Sequence, residues 1–176
     1  MQMAALDLQP GEPVVLEHRM DHAYVKVGRG CGLILADGTR CGLSKNAVEH
    51  HGYPPSINLF GSGANRWAYQ DIKQRWMDRF EELLNASGLE RGHGRVLVEG
   101  EWTFPRRPAK GGRFGPDQGN YRGPTEKPLG DALERGGWIV GDYWLAYQFG
   151  EATYRYEKGV AMLRLVIFPM PAETFE

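Results

Sequence analysis

The chain has 176 residues, 41% of them hydrophobic and 11% aromatic, enough to bury one core and carry an additional element. A formal charge of −1 excludes affinity for nucleic acid through overall charge alone. No apolar run approaches the roughly 18 residues of a membrane span, and no basic stretch followed by an apolar one opens the chain, so a cytoplasmic protein with no membrane partner is expected.

Residues 1–52 hold both cysteines and four of the five histidines, and they read as an N-terminal Cys/His appendage. Between Cys31 and Cys41, the run Gly-Leu-Ile-Leu-Ala-Asp-Gly-Thr-Arg predicts a hairpin turning at Asp37-Gly38, which brings the two thiols to one end. Zinc favours four Cys and His ligands. Cys31, Cys41 and one of the pair His50/His51 leave a fourth place for His22 or His18, with His50 and His22 the preferred choices. A short segment without its own core needs such a staple. Each Cys is followed by Gly rather than by a second Cys two residues on, so the spacing is not that of a standard zinc finger. Structural Zn²⁺ and two inert buried thiols both stand as readings.

After Tyr53-Pro54-Pro55-Ser56-Ile57-Asn58 and a glycine-rich connection, the period of Ile72, Trp76, Phe80, Leu83 and Leu84 predicts the main helix over 65–86. Lys73, Arg75, Arg79, Glu81 and Glu82 are expected mostly to face solvent. Val96, Val98, Gly100, Trp102 and Phe104 alternate with Leu97, Glu99, Glu101 and Thr103, the pattern of a strand with one buried face. Further strands are expected over 143–149 and 160–168, closed by Pro169 and followed by a tail at 171–176. Residues 53–170 thus read as one α+β or mixed α/β domain, a small mixed sheet with two packed helices.

Between the first of these strands and the last two lies the stretch richest in chemistry. From Pro105 to Lys127 the bases Arg106, Arg107, Lys110, Arg113, Arg122 and Lys127 face only Asp117 and Glu126, a local excess of positive charge suited to phosphates. Asp117, Glu126, Asp131 and Asp142 then fall around a short helix, with Lys127 among them. Thr125 is its expected N-cap, Pro128 falls in its first turn, and Gly136-Gly137 ends it. Carboxylates gathered closely repel unless a cation or proton sits between them, so a metal site is the hypothesis. Hard oxygen donors suit Mg²⁺ or Mn²⁺.

Asp117-x-x-Asn120, Lys127 four residues before Asp131-Ala132-Leu133, and Gly137-Trp138 followed by Asp142 together resemble the RusA-type Holliday junction resolvases, endodeoxyribonucleases common in phages and prophages. Tyr53-Pro54-Pro55-Ser56-Ile57-Asn58 is similar to that family's N-terminal Pro-Pro-Ser-x-Asn element, and the order of the two signatures matches across residues 53–169. Two acids of the family pattern are absent, replaced by Gly119 and Gly141. An actinobacterial and actinophage branch carries the same Asp-Gln-Gly-Asn form with Glu-Lys ahead of the helix, which implies that Glu126 supplies a missing carboxylate.

The resemblance implies a Mg²⁺-dependent enzyme acting as a homodimer on branched DNA in a bacterial host cell, with no small-molecule substrate. It makes Asp117, Glu126 and Asp142 the metal ligands, Asp131 a ligand or a partner to Lys127, and Lys127 a group that stabilises phosphate charge. All five are the candidate catalytic residues, with Arg106, Arg107, Lys110, Arg113 and Arg122 as DNA contacts. The alternative is a junction-binding protein on the same fold whose degenerate acid site does not cut.

Overall fold

The computed structural model describes residues 11–20, 25–26, 32–34, 40–42, 52–54, 66–92, 94–105, 118–141 and 146–170. Among these, a four-stranded mixed sheet carries two helices in an α+β arrangement, and a separate three-stranded sheet is formed early in the chain. The elements are β1 (Val14–Met20), β2 (Val25–Lys26), β3 (Gly32–Ile34), β4 (Arg40–Gly42), α1 (Arg66–Ala86), β5 (Arg95–Phe104), α2 (Gln118–Arg135), β6 (Tyr147–Tyr156) and β7 (Ala161–Met170). The larger sheet has the order β1-β7-β5-β6. Only the β5–β6 pair is parallel, and α2 makes the crossover between those two strands.

Alternation places Val96, Val98, Trp102 and Phe104 of β5 and Leu163, Leu165 and Ile167 of β7 in the core. Ile72, Trp76, Phe80 and Leu84 meet them from α1, and Leu129, Ala132 and Leu133 from α2. The opposite sheet face carries ion pairs, Arg164 to Glu17 at 3.4 Å and Arg155 to Glu101 at 3.1 Å. No helix among the described residues is long and apolar enough to cross a membrane.

The sheet runs across the expected boundary at residue 52, because β1 pairs antiparallel with β7 from Val14 opposite Ile167 to Met20 opposite Ala161. Leu16 and His18 are its buried residues. His18 therefore belongs to the core, its ring 5.1 Å from that of Trp76, rather than to a metal site in the appendage. Strands β3 and β4 pair antiparallel as the hairpin reading expects, with Leu33 opposite Cys41. Only the backbone of Cys41 is described; Cys31, His22, His50, His51 and the Asp37-Gly38 turn lie outside the described residues.

His18 makes the stability of the fold sensitive to acid. Its side chain is 7% exposed, and its Nδ1 has no hydrogen-bond partner among the described residues. Burial, reinforced by Arg79 and opposed by Glu82, lowers its pKa from 6.5 to about 4. In the unfolded chain the imidazole takes its proton near the ordinary value, while in the fold it resists until about 4. The stability this residue contributes is thus whole above pH 6.5 and lost as pH falls toward about 4. The loss amounts to about 3 kcal/mol. Urea unfolding of wild type and His18→Leu at pH 7 and pH 4 checks it: the difference between the two proteins should move by about that amount in favour of the variant at pH 4. Parallel pH dependence in the two would overturn the assignment.

Segment 52–54 is pinned against the sheet. A Cβ on Gly52 would fall 1.8 Å from the Ala161 carbonyl oxygen, so only glycine permits this approach. Tyr53 is buried edge-on to Phe104 and Tyr121, with ring centroids 5.0 and 5.8 Å away. The start of the Pro-Pro-Ser-x-Asn-like signature is therefore a packing element here.

Three element boundaries differ from the sequence expectation, one of them at β7, which runs on through Pro169 to Met170, opposite Val96 and Arg95, rather than closing at 168. Strand β6 covers Tyr147–Tyr156 rather than 143–149, passing through Gly150 with a register irregularity opposite Val98 and Gly100. What carries it past the glycine is aromatic pairing: Tyr154 stacks on Trp102 at 5.1 Å and on Phe104 at 6.0 Å. Helix α2 begins at Gln118 rather than at Thr125, with Pro124 and Pro128 inside it.

Candidate functional site

Thr125 is not an N-cap. It is fully buried, and its hydroxyl donates to the Tyr121 carbonyl at 2.9 Å, one turn back along α2. Pro128 lacks the N–H that would serve the Pro124 carbonyl, so this part of the helix is held from outside as much as by its own bonds. Tyr121 packs edge-on against Phe104 at 4.9 Å, and the Tyr147 hydroxyl donates to the Glu126 carbonyl at 2.9 Å. The far end closes as the sequence predicts. Gly137 adopts φ +75°, its N–H donates to the Glu134 carbonyl, and that of Trp138 donates to the Leu133 carbonyl at 2.9 Å. Trp138 is buried and donates its indole N–H to the Leu89 carbonyl, the anchor expected ahead of Asp142.

With its core side fixed in this way, α2 presents Arg122, Glu126, Lys127 and Asp131 away from the core. Arg122 donates from Nε to Glu126 Oε2 at 3.1 Å and from Nη2 to the Phe149 carbonyl, and its guanidinium lies 5.3 Å from the centre of the Phe149 ring. Proposed from sequence as a DNA contact, Arg122 is engaged within the chain, tying α2 to β6 and orienting Glu126. Asp131 Oδ1 meets Lys127 Nζ at 2.8 Å, and its Oδ2 meets Lys73 from α1. Lys73 is therefore largely covered, an exception among charges that the helical pattern places mostly in solvent. Burial of Asp131 favours its neutral form, but the two ammonium groups outweigh this and hold the carboxyl below its usual value.

Glu126 sits beside the start of β6, where Tyr147 holds it five residues past Asp142. Asp117 precedes the first residue of α2, and from there to Glu126 the helix rises about 12 Å. Asp117, Asp142, Arg106, Arg107, Lys110 and Arg113 lie outside the described residues. Gly141, where the family has an acid, is buried, and Gly119 is exposed. Among the described residues no group of three or more His, Cys, Asp or Glu side chains is placed to hold a metal ion. Asp131 fits a metal poorly, since either oxygen would have to leave a lysine.

Compared with models of protein families the chain matches none, and no curated protein matches its sequence.

Proposed function

We propose that the chain is a metal-dependent endodeoxyribonuclease of the RusA type that resolves four-way DNA junctions. The reading is supported by one observation: α2 is fastened to β6 through the Tyr147–Glu126 hydrogen bond and carries Glu126, the exposed Lys127 and, paired with that lysine, the largely covered Asp131. An acid and a lysine on a fixed helix are parts that phosphodiester hydrolysis needs, and the sequence adds Asp142 five positions before Tyr147. Glu126 and Asp142, with Asp117, would hold Mg²⁺ or Mn²⁺ through hard carboxylate oxygens. Such an ion, when bound, supplies an activated water and charge stabilisation at phosphorus.

This chain's own residues do the rest. Arg122 fixes the orientation of Glu126, and Lys127 offers an ammonium to the phosphate charge that grows in the transition state. Arg106, Arg107, Lys110 and Arg113 would take neighbouring phosphates, and a homodimer suits a nearly two-fold junction. Cys31, Cys41, His50 and His22 are the proposed structural zinc ligands, compatible with the pairing of β3 and β4.

A second reading is a junction-binding protein that does not cut. It is favoured by the way Glu126 and Asp131 are each paired with cations of the chain itself and by glycine at positions 119 and 141. Incubating the protein with a synthetic four-way junction or a matching linear duplex, in Mg²⁺, Mn²⁺ or EDTA, separates the readings. Paired nicks confined to the junction, dependent on metal and absent in Asp142→Asn, are the expected result. Tight binding of an uncut junction would instead establish the second reading.

A further inference from the structure

Lys73 lies on α1, 58 positions before its partner on α2, and its side chain is only 20% exposed. Asp131, which it meets, is 16% exposed, and a carboxylate so covered is costly unless paired. One lysine would meet that need, yet two are present. Exposure separates them: Lys127 is 54% exposed, whereas Lys73 and Asp131 are largely covered.

We propose that Lys73 is a positioning residue for Lys127, an inference that rests on the nuclease reading. By holding Oδ2, it fixes the orientation of the Asp131 carboxylate, so that Oδ1 sets the Lys127 ammonium on the outer side of α2. Without Lys73, the whole carboxylate charge falls to Lys127 and draws its ammonium inward, and Oδ2 becomes available to a metal ion. A role limited to joining the helices is already filled by Arg135 of α2, which pairs with Asp78 at 2.8 Å and with Glu81, both on α1.

The test is single-turnover cleavage of a four-way junction in Mg²⁺ at saturating enzyme, with junction affinity measured in Ca²⁺, for wild type, Lys73→Met and Lys73→Arg. Lys73→Met should cut about tenfold more slowly with affinity within about twofold of wild type, and Lys73→Arg should recover about half of the lost rate or more. A Lys73→Met protein that cuts at the wild-type rate, or a Lys73→Arg protein as slow as Lys73→Met, would overturn the proposal. Should Lys73→Met fail to fold, Lys73→Gln takes its place in the same comparison. A wild-type chain that cuts no junction sinks the nuclease reading and this role with it. A cutting wild type with unchanged variants sinks the role of Lys73 alone.

Discussion

Glu126→Gln is expected to lower metal-dependent junction cleavage by about a hundredfold or more while leaving junction binding within about twofold. The substitution keeps the shape of the side chain and its acceptor toward Arg122, and removes only the charge that a hard cation requires. Folding should be little affected. The Arg122–Glu126 pair is more than a third exposed on both sides, and such surface pairs contribute about 1 kcal/mol or less. Arg122 keeps its second anchor at the Phe149 carbonyl, so α2 stays fastened to β6. The measurement is single-turnover nicking across a Mg²⁺ titration, beside the melting temperature of each protein. A metal ligand predicts a rate loss that added Mg²⁺ partly recovers. A loss below about threefold would remove Glu126 from the site and leave Asp117 and Asp142 without their proposed third carboxylate.

The regular parts of the fold are legible because their signals are local. Ile72, Trp76, Phe80 and Leu84 mark one side of a helix whatever surrounds it, and Val96, Val98, Trp102 and Phe104 mark one side of a strand. Strand β1 has the same kind of signal, with Leu16 and His18 alternating against Val15, Glu17 and Arg19, but a histidine at a core position disguises it. The early start of α2 is written nowhere locally. Gly123, Pro124 and Thr125 read as a break and a cap. The helix passes through them because Tyr121 packs on Phe104 and Tyr53, and Arg122 reaches the Phe149 carbonyl. Such contacts, 17 to 68 positions apart, override a propensity of a few kcal/mol.

The site divides in the same way. Lys127 and Asp131, four apart, pair as helical spacing predicts. Lys73 has no sequence signal at all, since helical period alone places it off the apolar stripe and only the packing of α1 on α2 brings it to Asp131. Arg122 is similar: its charge suggests phosphate, and its contacts with Glu126 and Phe149 give it a different use.

Trp76→Ala should destabilise the fold by about 4 kcal/mol, far more than Glu126→Gln. The indole is fully buried, 5.5 Å from the Phe80 ring and 5.1 Å from that of His18, where α1 crosses β1. Alanine leaves a cavity there that rigid neighbours on a helix and a strand cannot close. For a domain of this size the melting temperature should fall by roughly 8–16 °C. Trp76→Phe is the informative companion. Nε1 of Trp76 is buried without a hydrogen-bond partner among the described residues, so phenylalanine removes an unsatisfied donor together with part of the ring. The two effects oppose, and a net change of about 1 kcal/mol is expected. Urea unfolding at pH 7 measures both variants. Equal losses in the two would mean that the indole N–H has a partner after all. A Trp76→Ala loss below about 2 kcal/mol would mean that α1 and β1 collapse into the space and that the contact with His18 is not rigid. In that event the collapse keeps His18 buried, so its pKa should stay near about 4 in Trp76→Ala and the acid-sensitive window should persist.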